Sequence, residues 1–254
     1  MCFLSLTFLG WNAILVPGRK REGGQAVRIG GLTKLTLLDY PGLVAATVFF
    51  TGCELRCPFC HNRPLVLPRG EPTLEPRAVL DFLERRRGRL DGVCLSGGEP
   101  TLQPGLPDLI REIRALGFSV KLDTNGSRPQ VLRDLLDQGL LDYVAMDIKN
   151  APDRYLETCG GVDILPQARE SAALLLEGPI PYEFRTTVCR PFHDPQAMAR
   201  IGQWLRGADR YFLQPFADSG DLVGSGVEPM EPEGLAALLA AVRPFIPTAA
   251  IRGA

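Results

Sequence analysis

The chain has 254 residues, 45% hydrophobic and 22% charged, with a formal net charge of −1. This is the composition of an ordinary soluble globular fold of one to two domains, able to bury its core without disulfides or metal. The even charge balance argues against a dedicated nucleic-acid binder and against an acidic solvating tail.

Residues 1–26 come first and fit no organised pattern. Met1–Val16 is a short apolar run followed by Pro17, Gly18 and the basic cluster Arg19-Lys20-Arg21. A secretory signal carries its charge before the apolar stretch, and a bilayer span needs ~20 residues. A weak anchor, a packed extension and sequence upstream of a misassigned start compete. The third is favoured, because organised patterning begins near Val27. No membrane span and a cytoplasmic location are expected, with residues 27–254 forming a single domain.

From Val44 onward, short apolar runs alternate with helical patterns. Strands are expected at Val44–Phe50, Gly92–Leu95, Ser119–Leu122, Tyr143–Ile148, Tyr182–Val188 and Tyr211–Gln214. Their β-branched and aromatic content suits strands buried on both faces. Helices are expected at Glu75–Arg86, Leu106–Leu116, Pro129–Gln138, Pro166–Leu176, Pro195–Arg206 and Pro232–Val242, several with proline in the first turn. The alternation implies an α/β fold with a parallel sheet and right-handed crossovers. Periodicity alone does not choose between a partly closed barrel and an open sheet.

The loop after the first strand carries the strongest chemical signal. Cys53, Cys57 and Cys60 follow the spacing C-x3-C-x2-C, three of seven cysteines within eight residues. An odd count so clustered suits a reducing compartment better than a disulfide scaffold. Fe–S clusters normally take four cysteines. Three would leave one iron open, and an open position is what catalysis needs and a structural site avoids. A zinc knuckle with His61 is the bland alternative, disfavoured because His61 directly follows Cys60. Cys2, Cys94, Cys159 and Cys189 read as buried small hydrophobes, and His193, in the loop after Pro191, as a surface residue.

Other strand ends carry polar groups. Gly97-Gly98-Glu99-Pro100 follows the second strand, where glycines let backbone approach a ligand and Glu99 can accept from an ammonium. Asp123-Thr124-Asn125-Gly126 ends the third, and Met146-Asp147-Ile148-Lys149 the fourth. Their bland reading is capping and a solvated lysine; at a barrel mouth they suit a ribose, a carboxylate or a cation. Arg185 lies inside the fifth strand and needs a partner there.

Cys53-x3-Cys57-x2-Cys60, with Phe59 before the third cysteine, resembles the cluster motif of the radical S-adenosylmethionine (SAM) superfamily. The resemblance implies a partial (β/α)6 TIM-like barrel and a [4Fe–4S] cluster on the three cysteines, its unique iron chelated by SAM. It also places Phe59 near adenine and matches Gly97, Gly98 and Glu99 to the motif that binds the SAM amino group. The Asp123 and Asp147 segments resemble those of glycyl-radical-enzyme activases. There the two aspartates and Thr124 would help hold a monovalent cation, and Lys149 and Arg185 would contact SAM. Ala217 stands where those activases have a SAM-touching histidine, a departure from the pattern.

The segment Ile29–Gly42, Cys60-His61-Asn62 and Arg185-Thr186-Thr187 are similar to anaerobic ribonucleoside-triphosphate reductase activating proteins. The implied function is reductive cleavage of SAM to a 5′-deoxyadenosyl radical that sets a glycyl radical on a partner enzyme. That partner would be anaerobic ribonucleotide reductase, with a flavodoxin- or ferredoxin-type electron donor. The alternatives are a radical SAM enzyme acting on a small molecule or peptide and, remotely, a zinc-stabilised scaffold.

Overall fold

The computed structural model describes residues 27–67, 74–218 and 220–253. The expectations for residues 1–26 and Cys2 therefore lie outside the described residues. Eight strands join one sheet in chain order: β1 Ile29–Thr36, β2 Ala45–Phe50, β3 Gly92–Gly97, β4 Ser119–Thr124, β5 Tyr143–Asp147, β6 Tyr182–Val188, β7 Tyr211–Pro215 and β8 Ala250–Ile251. β1 is antiparallel to β2, and every later pair is parallel. Among the described residues β1 and β8 are the two free edges, so the TIM-like barrel is partial and unclosed.

The helices are α1 Arg63–Val66, α2 Pro76–Glu84, α3 Leu106–Ala115, α4 Pro129–Asp137, α5 Tyr155–Thr158, α6 Leu165–Glu177, α7 Pro195–Trp204 and α8 Pro232–Val242. All six expected strands and six expected helices are present, with ends within two residues of expectation. The edge strands β1 and β8 and the single-turn helices α1 and α5 were not anticipated. Gly30 and Gly31 lower strand propensity in β1, and a two-residue strand or a four-residue helix is too short to show a period.

The strands are buried on both faces, as expected, but the two faces differ in polarity. Ala46, Val48, Phe50, Val93, Leu95, Val120, Leu122, Val144 and Met146 point outward into one core shared with the helices. α3 shows the logic: Leu106, Leu109, Ile110 and Ile113 recur at helical spacing and are buried, each contributing roughly 1.5–3 kcal/mol. The inward face mixes small apolar residues such as Ala45 and Ala145 with polar ones. Thr47, Lys121 and Glu183 are fully or almost fully buried within the barrel. Tyr40, Ala45 and Tyr143 form a small separate apolar cluster, with the two tyrosine rings 6.1 Å apart. Among the described residues no helix is long and apolar enough to cross a membrane.

Candidate active site at the C-terminal ends of the strands

The strand ends and the loops that leave them enclose a cavity of about 280 Å³. Its walls include Cys53, Cys57, Phe59 and Cys60 from the loop after β2, Gly97 at the end of β3 with Gly98 after it, Asp123 and Thr124 from β4, Asp147 at the end of β5 with Lys149 after it, and Arg185 from β6. The structure thus brings together every expected site residue except Glu99.

The cysteine loop is held from several sides. Gly98 N–H donates to the Phe50 carbonyl at 2.9 Å, and Glu99 N–H to the Gly52 carbonyl at 2.8 Å. These contacts need glycine: a Cβ on Gly98 would lie 2.1 Å from the Gly52 oxygen, and Gly97 has φ +112°. Gln103 adds a donor to the Thr51 carbonyl at 2.9 Å. On the far side Arg56 N–H donates to the Cys159 carbonyl at 3.2 Å.

All three cysteines are free thiols, Cys57 buried and the other two half-buried. Burial, with Glu54 beside it, pushes the Cys53 thiol up to about 12. Contact with the Cys159 thiol, then burial, raises Cys57 well above its ordinary value, and burial raises Cys60. Burial thus favours the neutral thiol at all three positions, an effect that a metal bound there would oppose. Cys94, Cys159 and Cys189 are buried as expected.

Beside the cysteines lies a charged network. Arg185 bridges the two aspartates, donating to Asp147 Oδ1 at 2.9 and 2.8 Å and to Asp123 Oδ2 at 3.3 Å. Lys149 pairs with Asp147 Oδ2 at 3.1 Å, and Lys121 pairs with Asp123 Oδ1. Burial works against charge in both aspartates, yet Arg185 outweighs it with Lys149 at Asp147 and with Lys121 at Asp123. Both carboxyls lie below their ordinary range. The lysines and Arg185 are likewise held charged by these carboxylates despite burial.

Glu99 is placed differently from expectation. Its carboxylate is fully buried behind the cavity wall, accepting from Thr101 N–H at 3.1 Å, Thr124 hydroxyl at 2.8 Å and Asn125 N–H at 2.7 Å. It ties the β3 and β4 loops together through these hydrogen bonds. Burial nevertheless raises its pKa to about 7.

The Radical SAM superfamily model matches residues 47–198. The chain belongs to the radical SAM superfamily. A relative from Methanocaldococcus jannaschii, provisionally named a glycyl-radical enzyme activating enzyme, is 34% identical over 195 residues, 74% of this radical SAM chain and 79% of the relative. The pyruvate formate-lyase-activating enzyme of Clostridium pasteurianum is 34% identical over 131 residues, covering 50% of this chain and 54% of its own length. In fold, the chain resembles Streptococcus suis SuiB bound to S-adenosylmethionine, with a TM-score of 0.64 at 15% identity over 79% of this chain and 48% of SuiB.

Radical SAM enzymes use a [4Fe–4S] cluster and SAM. The residues present fit both. Three free thiols open on one cavity, and Asn125 Nδ2 stands 3.8 Å from Cys53 Sγ as a donor to sulfur. Among the described residues no three His, Cys, Asp or Glu side chains gather closely enough to hold a single metal ion. Zinc requires ligands about 2.0–2.3 Å from one centre, whereas in a four-iron cluster each thiolate binds its own iron. Phe59 is buried against Phe192 and His193, with ring centroids 6.2 and 6.3 Å away, and presents an apolar wall to the cavity.

Two supporting residues were missed or misread in the sequence. Asn125 also reaches Glu54 Oε1 at 3.2 Å, so it braces the cysteine loop from β4. His193, expected at the surface, is 3% exposed. Its Nε2–H donates to the Lys149 carbonyl at 3.0 Å, and its Nδ1 accepts from Cys189 N–H at 3.2 Å. Burial lowers its pKa, which suits this neutral tautomer. The loop after β6 folds back under β5, a long-range placement with no local periodic signal. Ala217 is exposed and supplies no side chain to the cavity.

Proposed function

We propose that this radical SAM enzyme is an activase: it generates a glycyl radical on a partner enzyme, anaerobic ribonucleotide reductase being the candidate. The observation that carries the reading is the convergence of three free thiols and an Asp–Lys–Arg network on one cavity. The Methanocaldococcus jannaschii relative supports the activase class, since the match spans most of both chains.

Cys53, Cys57 and Cys60 would hold three irons and leave one for the amino and carboxylate groups of SAM. When bound, these cofactors supply a one-electron cleavage of the sulfonium that yields methionine and a 5′-deoxyadenosyl radical able to take a glycine Cα hydrogen. The protein contributes orientation and exclusion of water. Phe59 offers an apolar wall for adenine. The backbone of Gly97 and Gly98 forms the close-approach surface, with Glu99 positioning that loop. Lys149 and Arg185 carry the positive charge that suits the SAM carboxylate. Residues 27–254 are read as one catalytic domain, residues 1–26 as an extension, and the setting as a reducing, anoxic cytoplasm with a flavodoxin- or ferredoxin-type donor.

The test is anaerobic SAM cleavage by reconstituted, dithionite-reduced protein, alone and with anaerobic ribonucleotide reductase, with Cys57→Ala as control. Cysteine-dependent 5′-deoxyadenosine and a glycyl doublet in the paramagnetic resonance spectrum are expected. Cleavage without the doublet, but with turnover of a small molecule or peptide, would replace the activase reading. A loaded, reducible cluster that never cleaves SAM would remove catalysis itself.

A further inference from the structure

The resemblance to activases implies a monovalent cation held by Asp123, Asp147 and Thr124 beside SAM, and the structure does not fit one. All four carboxylate oxygens are already committed. Asp123 Oδ1 receives Lys121, and its Oδ2 receives Arg185 at 3.3 Å and the Ser96 hydroxyl at 3.0 Å. Asp147 Oδ1 receives Arg185 at 2.8 Å, and its Oδ2 receives Lys149 at 3.1 Å. The third expected ligand is committed too: Thr124 Oγ1 donates to Glu99 at 2.8 Å and accepts from Gly126 N–H at 3.1 Å.

Lys121 is the decisive residue. It sits two positions before Asp123 on β4, so both side chains point into the barrel. Its side chain is 1% exposed. Its other near neighbours are the Cys94 thiol at 3.8 Å and the face of the Tyr143 ring at 6.0 Å, so Asp123 is its counter-ion. Among the described residues Asp123 is the one carboxylate paired with this buried ammonium, and separating the pair would leave a charge uncompensated. The network holds two carboxylates against the three cations Lys121, Lys149 and Arg185. Asp39 also lines the cavity, and Glu183 acts on both Lys121 and Arg185, so the cluster has no net positive charge; a further cation is disfavoured because each oxygen of Asp123 and Asp147 already holds a donor.

We propose that Lys121 replaces the monovalent cation, so that this chain holds SAM without Na⁺ or K⁺. The inference rests on the reading that SAM binds beside Asp123 and Asp147. Lys121 acts through Asp123 and is a positioning residue.

The experiment compares anaerobically reconstituted holoenzyme in KCl, NaCl and tetramethylammonium chloride at equal ionic strength, reading both SAM affinity and melting temperature. For the wild type, SAM Kd should agree within twofold across the three salts, and Tm should be the same. Lys121→Met should weaken SAM binding at least tenfold in tetramethylammonium and recover in Na⁺ or K⁺, because the vacated carboxylate then takes a small cation. Lys121→Arg should stay salt-independent. A wild-type affinity or Tm that rises in Na⁺ or K⁺ over tetramethylammonium overturns the inference, and so does a folded Lys121→Met that remains salt-independent. If Lys121→Met does not fold, the wild-type series and Lys121→Arg decide. If the wild type binds no SAM in any salt, the functional reading falls, and Tm alone decides on the cation: equal values support the inference, a rise in Na⁺ or K⁺ refutes it.

Discussion

Arg252 grips Glu183 through two parallel hydrogen bonds, Nη1 to Oε1 at 2.6 Å and Nη2 to Oε2 at 2.7 Å. Glu183 is fully buried on β6, while Arg252 follows β8 at the open edge of the sheet. Tyr143 adds a donor to Oε2 at 2.9 Å, and the Arg252 guanidinium stacks 3.5 Å over the Phe212 ring. This fork ties the β8 edge back to β6 across β7, where only two residue pairs join β7 to β8, and it anchors the strand that also carries Arg185.

This pair should appear in the acid limb of stability. Burial alone would raise the Glu183 pKa, but the Arg252 hydrogen bonds and the charges of Arg185 and Arg252 overcome it and hold it below 4.5. A depressed folded value gives stability that is fully present above about pH 4.5 and is lost as pH falls through the folded pKa. Arg252→Ala should cost about 2–4 kcal/mol at neutral pH by leaving a buried carboxylate without its cation, measured by urea unfolding. A cost below about 0.5 kcal/mol would show that Glu183 is stabilised without the fork.

Glu99 should behave in the opposite sense. Its folded pKa is raised from 4.5 to about 7 by burial. Between those values the unfolded chain loses the proton while the native state keeps it, so stability falls as pH rises through the window. The drop should be about 3 kcal/mol, and Glu99→Gln should flatten the profile between pH 5 and 7. An equally steep profile in the variant would assign the slope to another group.

His193 supports Lys149 through the backbone. His193→Leu should leave the Lys149 carbonyl and the Cys189 N–H unpaired in a buried setting, costing about 2–4 kcal/mol in chemical denaturation. SAM affinity should weaken as well. Unchanged stability would mean that water replaces both contacts.

Gly98→Ala should disturb the cysteine loop through a backbone clash, since its Cβ would meet the Gly52 oxygen at 2.1 Å. We expect a loss of about 1–3 kcal/mol and less iron and sulfide retained after anaerobic reconstitution. Gly139→Ala is the control: Gly139 has φ +62° but no atom within 4 Å of its added Cβ. It should cost about 1–2 kcal/mol of backbone strain and spare the cluster. Equal cluster loss in both variants would locate the effect in global stability.

Sequence by itself determined the alternation of six strands and six helices, because each strand or helix carries its own hydrophobic period and its own proline and glycine boundaries. It also determined the three-cysteine loop and its place after β2, since the spacing is local. Tertiary structure alone decided which charges meet. Arg185 visibly needed a partner, yet Asp123 stands 62 residues away and is reached only through the order and register of β4, β5 and β6. Lys121 and Asp123 share one face of β4 by strand periodicity, but the barrel decides that this face is buried and that Arg185 reaches the same carboxylate. His193 was expected at the surface because a loop has no period, and its burial arises only when the chain after β6 folds back under Lys149. Local patterns set what each segment can form; barrel curvature and strand register set which side chains share one low-dielectric space, and there the charges select their partners.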